Sequence, residues 1–398
     1  MENHLLQNYR SAPVTIVRGE GCYLFDDAGT RYLDMIGGIA VCALGHAHPG
    51  IADAISKQAR MLVQASNLFG HEPARTLANE LARRSGFDRV FFCNSGAEAN
   101  EAAIKLARKL AYRKGEKKRR TILSCTGSFH GRTLGALAAT ANEKYQEGFD
   151  PLPAGFRYTP FNDIEALKTA IDDSVAAFIV EPVQGESGII PAKTEFLKAA
   201  RELCTQRGAL LIFDEIQCGM GRIGPLFAFQ HFGVTPDVVT IAKALANGLP
   251  IGAMLLTERV ATGLQPGDHG TTFGGSPVPC AAGLAHLRIR DEIALEKHVA
   301  KTSAHLFASL RSVAREFPDV FGEPRGLGIL AGLPVKEPFD AATLVTHARE
   351  NAHVLLNKAG NNTLRFAPPL IVTEAQIDDG IAALRAAARS LAIPAGAK

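Results

Sequence analysis

From residue 89 to residue 257 the chain alternates short apolar runs with longer amphipathic stretches, and this alternation restricts the fold more than any other feature. The apolar runs fall at 90–93, 121–125, 176–180, 210–213, 238–241 and 253–257. Each has the length of a strand covered on both faces. Between them, a helix is expected from Ser95 to about Arg113, and another over 194–207 that Gly208 closes as a C-terminal cap. Strands separated by helices of this size form a mostly parallel sheet with helices on both faces, an α/β fold.

The flanks read differently. Segments 21–26 and 30–35 enclose an Asp-Ala-Gly turn, which signals a hairpin, and helical patterns follow at 51–62 and 74–84. After about residue 285 one helix-like stretch runs from 281 past 307. Short strands at 327–333 and 364–367 then mix with helices at 343–351 and 374–391. A chain of 398 residues exceeds one ordinary core. The pattern divides it into a large domain over 51–285 and a smaller α+β domain built from both ends, 1–50 and 286–398. A crevice between two such parts is a common place for a ligand.

Charge excludes some partners. The chain holds 43 basic and 40 acidic residues, a net +3, which supports neither nucleic-acid nor membrane-surface binding. The seven cysteines are scattered and form no CxxC pair, so no zinc ribbon or disulfide framework is indicated. His46 and His48 stand two apart with no third ligand nearby, too little for a metal site. With no leader pattern and no apolar run of about 18 residues, the expected location is the cytoplasm.

Glycine, at 38 residues, is abundant, and three turns after expected strands carry it or stand beside it. The first is Cys93-Asn-Ser-Gly-Ala-Glu-Ala, where Ser95 and Glu98 form a capping box. It either simply starts a helix or offers exposed N–H groups to an anion. The second, Gly219-Met-Gly-Arg-Ile-Gly224, matches the dinucleotide pattern GxGxxG. However, Pro225 stands where a long helix should be under way, and Asp237 opens the next strand rather than closing it. The third places Asp214 at the end of one strand and Lys243 just past another, at the ligand-binding edge of a parallel sheet. Such a pair is either a surface salt bridge or chemistry. In an apolar setting, a lysine with a lowered pKa is a nucleophilic amine able to form a Schiff base. Lysine, aspartate and a phosphate cradle together describe a pyridoxal phosphate site.

The segments NSGAEANEAAIKLAR, SFHGRTLGAL, EPVQGESGI, FDEIQCGMGRIG, TIAKALANGLPIGA, HGTTFGG and LRFAPPL resemble, in order and spacing, those of class III pyridoxal-phosphate aminotransferases. The likeness runs from about Ala12 to Leu391. It implies the fold-type I architecture of that family, a homodimer, pyridoxal 5′-phosphate as cofactor, and an amino donor and 2-oxoglutarate as substrates.

By that resemblance, Lys243 would bond the cofactor and shuttle a proton, and Asp214 would keep its pyridine nitrogen protonated. Gln217 would bond the 3-oxygen, with Ile216 on one ring face and Phe129 on the other. Ser95, Gly96 and Ala97 would hold the phosphate, helped by Thr272 from a partner subunit. Arg365 would grip an α-carboxylate and Arg132 a second carboxylate, since a planar guanidinium pairs two oxygens at once. Glu186 would pair with Arg365 when that carboxylate is absent, and Thr271 would touch substrate. Ser187 stands where relatives commonly carry Gly. Segment 67–72 is expected to select among amines. The sequence assigns no role to His130.

Overall fold

A computed structural model of the chain describes residues 4–392. At its centre lies a seven-stranded sheet in the order Arg89–Cys93, Gly252–Leu256, Val238–Ile241, Leu210–Asp214, Val175–Val180, Thr121–Cys125, Phe156–Thr159. Every pairing is parallel except those of Gly252–Leu256, which runs antiparallel to both neighbours. The residues of Val175–Val180, Leu210–Asp214 and Val238–Ile241 are all buried, as strands covered on both faces must be. Six of the seven strands answer to the apolar runs of the sequence. Phe156–Thr159 does not, because Phe-Arg-Tyr-Thr at the sheet edge has only one neighbour and carries polar residues.

The covering helices start and stop for local reasons. Thr194–Arg207 ends at Gly208, whose φ of 69° is left-handed. Gly96–Arg113 is capped by the Ser95 hydroxyl, which accepts the Glu98 N–H at 3.2 Å. Glu98 reaches back to the Asn94 N–H and the Ser95 hydroxyl, a shifted form of the expected box. The expected single stretch from 281 past 307 is two helices, Pro277–Glu292 and Leu295–Glu316. Ala294, at φ 48°, breaks the run, and its apolar side chain gave no sign of that backbone conformation. Pro277–Glu292 packs on Pro49–Met61, Glu72–Ser85 and the short helix Lys243–Ala246.

Both chain ends meet in one place. Ile16–Glu20, Tyr23–Asp26 and Arg31–Asp34 form an antiparallel meander, and Val354–Leu355 joins it parallel to the last strand. A second small sheet orders Arg325–Leu327, Leu330–Pro334, Thr363–Phe366 and Asn357–Ala359. Among the described residues no helix is long and apolar enough to cross a membrane.

The two histidines near residue 47 have separate structural duties. His48 caps Pro49–Met61 through Nδ1, which accepts the Gly50 N–H. His46 Nε2 meets the buried Asp34 carboxylate at 2.7 Å. Burial opposes a charge on His46, but the Asp34 hydrogen bond and the neighbouring Cys42 outweigh it and lift the pKa from 6.5 to about 9. A raised pKa in the folded state stabilises fully below the unfolded value. The His46 contribution should therefore be intact below about pH 6.5 and vanish as pH rises through about 9. Melting temperature of the native chain should fall over that window, and that component of the fall should be absent in His46→Gln.

Candidate active site

The carboxyl ends of the parallel strands surround a cavity of about 410 Å³. Asp214 ends its strand, and Lys243 follows the neighbouring strand by two residues, so the sheet brings both to this edge. The cavity is lined by Lys243, Asp214, Ser95, Gly96, Ala97, Phe129, Ile216, Gln217 and Arg132, nine of the thirteen expected site residues.

Asp214 is the most constrained group in the site. One oxygen accepts from Asn100 Nδ2 at 2.8 Å and His130 Nδ1 at 2.7 Å, and the other from the Ile216 N–H at 3.1 Å. A carboxylate only accepts, so His130 carries its hydrogen on Nδ1. Its Nε2 is buried and has no hydrogen-bond partner among the described residues. Asn100 also donates to the His130 carbonyl at 2.8 Å and accepts from the Thr240 hydroxyl at 2.7 Å.

Lys243 sits at φ 43°, at the start of a 3₁₀ turn. Burial lowers its amine below the ordinary lysine value, with Glu186 pulling the other way. The short helix beyond it is tied to the N-terminal segment by Asn247, which accepts the Leu44 N–H at 2.7 Å and donates to the Gly45 carbonyl at 3.1 Å.

Opposite in charge to Asp214 is the cradle at residues 95–97, an electropositive helix start. Gly96 and Ala97 occupy the first two helical positions, whose N–H groups no helical carbonyl can reach. A Cβ on Gly96 would lie 2.7 Å from the Ile216 side chain, so glycine is required for this approach. Exposed N–H donors at a helix start, a buried carboxylate, a flanking aromatic and aliphatic pair and a depressed lysine fit pyridoxal phosphate in charge and shape.

Arg365 and Glu186 stand just behind Gln217. Arg365 is 2% exposed and bonds Glu186, Gln217 Oε1 at 3.3 Å and Asn357 Oδ1 at 3.2 Å. Gln217 Nε2 donates to Glu186 at 3.2 Å. Burial would raise the Glu186 carboxyl, but the Arg365 charge and hydrogen bond hold it below the usual range. The Ser187 hydroxyl donates to the Gly127 carbonyl, tethering the loop that carries Glu186. A Cβ at Gly185 would displace the Gln217 amide from its present position.

Thr271 and Thr272 do not line this cavity. The Thr271 hydroxyl accepts from Asn94 Nδ2 at 3.1 Å and from the Gly274 N–H at 3.3 Å, and Thr272 is exposed. In segment 67–72, Asn67 donates to the Thr271 carbonyl at 2.9 Å, and Leu68 and Phe69 are exposed. The glycine cluster 219–224 is a buried brace. Arg222 Nη1 bonds the Ile329 carbonyl at 3.3 Å and also the Pro368 carbonyl, joining this turn to the C-terminal region.

Sequence reasoning missed Asn100, His130 and Glu181. Glu181 lines the cavity, and its carboxylate accepts the Phe129 N–H at 2.9 Å and the Gly185 N–H at 3.3 Å. Burial pushes its carboxyl well above the usual range, and the Asp214 charge adds to that. A signal existed for His130, adjacent to Phe129 in SFHGRTLGAL, but nothing in spacing reveals a contact 84 residues away. Replacing Asn100 with Ala leaves Asp214, the His130 carbonyl and Thr240 each short of one bond. It should cost about 1–3 kcal/mol, read as a lower urea midpoint at unchanged slope.

A family model described as aminotransferase class-III matches residues 6–388. An acetylornithine aminotransferase of Methanocaldococcus jannaschii is 48% identical over 379 residues, 95% of this chain and 94% of that protein. The solved N-acetylornithine aminotransferase of Stenotrophomonas maltophilia K279a is 40% identical, with a TM-score of 0.84 over 96% of this chain and 97% of that one. The ornithine aminotransferase of Toxoplasma gondii ME49 superimposes with a TM-score of 0.93 at 33% identity, over 98% of this chain and 93% of that one. With a cavity built around Lys243, Asp214 and the Ser95 helix start, and with likeness of this extent, the chain belongs to the class III aminotransferases, and pyridoxal 5′-phosphate is its cofactor.

Proposed function

We propose that the chain moves the δ-amino group of N2-acetyl-L-ornithine to 2-oxoglutarate, giving N-acetyl-L-glutamate 5-semialdehyde and L-glutamate, a step of arginine biosynthesis in the cytoplasm. The carrying observation is the unequal state of two guanidinium groups, one lining the cavity and the other just behind its Gln217 wall. Among the described residues Arg132 has no carboxylate partner, whereas Arg365 is covered by Glu186 and Gln217. One group is ready for a substrate carboxylate and the other becomes available when Glu186 moves. That suits an enzyme that must accept an acylated amino acid and a dicarboxylic keto acid in turn. The extent of likeness to acetylornithine aminotransferases favours that amine over free ornithine, 4-aminobutyrate, succinylornithine or succinyl-diaminopimelate.

Bound pyridoxal phosphate supplies a carbonyl carbon for the amine and an electron-withdrawing ring. The chain supplies the rest. Lys243, its amine less basic through burial, would bond the cofactor and, once the incoming substrate amine had displaced it, would be free to move a proton at the carbon bearing the amino group. Asp214, oriented by Asn100 and His130, would keep the ring nitrogen protonated. Gln217 would bond the 3-oxygen, and Ile216 and Phe129 would hold the ring between them. Ser95, Gly96 and Ala97 would bind the phosphate through a helix start.

We further propose a homodimer in which Thr272 reaches the partner's phosphate site, with Thr271 beside it as a substrate contact. Exposed Leu68, Phe69 and Phe273 near these threonines support such a surface. The large unit would span 51–285 and the small one 1–50 with 286–398.

A panel of amines at saturating 2-oxoglutarate tests the substrate. kcat/KM should be highest for N-acetylornithine, and equal or better turnover of free ornithine contradicts the assignment.

A further inference from the structure

Arg132 is held by something other than an acid. Its Cζ lies 3.9 Å from the centroid of the Tyr145 ring and 5.5 Å from that of Phe129. The two rings meet edge to face, 5.8 Å apart at 83°. Among the described residues the Arg132 guanidinium has no hydrogen bond or ion pair, so these ring faces are what orient it. A guanidinium stacked by its flat face keeps its N–H edge open in the plane, the edge that pairs with a carboxylate.

Tyr145 is itself firmly placed. It belongs to the short helix Glu143–Gln146. Gln146 pins that turn by donating to the Leu137 carbonyl at 3.1 Å, the Thr140 carbonyl at 2.9 Å and the Tyr158 hydroxyl at 2.9 Å. Tyr158 donates onward to the Ala138 carbonyl at 2.8 Å. The ring therefore stands on the helix Leu134–Ala139, which begins two residues past Arg132. The Tyr145 hydroxyl has no hydrogen-bond partner among the described residues, so its contribution lies in the ring.

We propose that Tyr145 is a specificity-determining residue: its ring fixes the Arg132 guanidinium over the cavity so that amines bearing a carboxylate are preferred over those without one. This rests on the reading of Arg132 as a carboxylate grip. An unstacked arginine must give up rotamer freedom each time it binds, and one already stacked has less to lose. Removing the ring should therefore weaken carboxylate-bearing substrates by about 2- to 30-fold, the range spanned by cation–π contacts. Phe129, which flanks the cofactor, is left untouched.

The test compares N-acetylornithine with N-acetyl-1,4-diaminobutane, the same molecule with hydrogen in place of its carboxylate. In the holoenzyme, Tyr145→Leu should lower kcat/KM for N-acetylornithine through KM and leave the value for the decarboxylated amine unchanged. Tyr145→Phe should keep the wild-type ratio. Phenylalanine at 145 carrying successive ring fluorines, which weaken the negative face without changing shape, should lower the ratio stepwise. Equal losses for both amines, or no loss with fluorination, overturn the proposal, and the fluorinated series decides it even if Tyr145→Leu does not fold. Arg132→Leu separates the two readings. If it abolishes the preference while Tyr145 variants do not, Tyr145 has no such role. If Arg132→Leu also keeps the preference, Arg132 is not the carboxylate grip, and the proposal falls with it.

Discussion

A buried carboxylate has to be compensated by hydrogen bonds or opposite charge, and Asp214 meets that requirement with three elements at once. Asn100 comes from the first turn and a half of the helix that begins at the phosphate cradle. His130 comes from the loop that also carries Phe129 and Arg132. The Ile216 N–H comes from the turn that also carries Gln217. Satisfying one charge therefore sets the relative positions of the Ser95 helix start, Phe129, Ile216 and Gln217. The sheet supplies the register, since Asp214 pairs with Thr240 and Thr240 bonds Asn100 from the strand that leads to Lys243.

A second buried carboxyl group, Glu181, braces the neighbouring loops. Glu181 takes one N–H from the Phe129 loop and one from Gly185, next to Glu186. The loop that carries Glu186 is then fixed at several points: by Glu181, by the Ser187 hydroxyl on the Gly127 carbonyl, and by the Gly360 N–H on the Glu186 carbonyl at 2.8 Å. The serine in place of glycine has a visible consequence, a side-chain bond that glycine could not make.

The sequence carried much of this in readable form, for identifiable reasons. Covered strands such as 238–241 are continuous apolar runs, and the helix 194–207 announces its end with Gly208, so the α/β sheet and its chemical edge were legible. The placement of Lys243 and Asp214 at that edge was legible because each follows such an apolar run. The remainder depends on contacts between distant residues. Asn100 looks like one more polar position on a helix, and His130 like the neighbour of a motif, until the fold brings them within 2.8 Å of a carboxylate more than 80 residues away. The strand at 156–159 was hidden because an edge position tolerates polar residues, and the break at Ala294 because alanine rarely adopts a left-handed backbone. Tyr145 lies in a short turn with no periodicity, and its position against Arg132 is a tertiary fact.

Every role proposed for the site depends on Lys243 being the residue that holds the cofactor at the edge defined by Asp214. Borohydride reduction of the holoenzyme followed by peptide mass mapping tests that most directly. A single reduced pyridoxyl group on the peptide containing Lys243, with loss of the yellow colour, is the result the structure predicts. Label on another lysine, or tightly bound cofactor with no label at all, would contradict it.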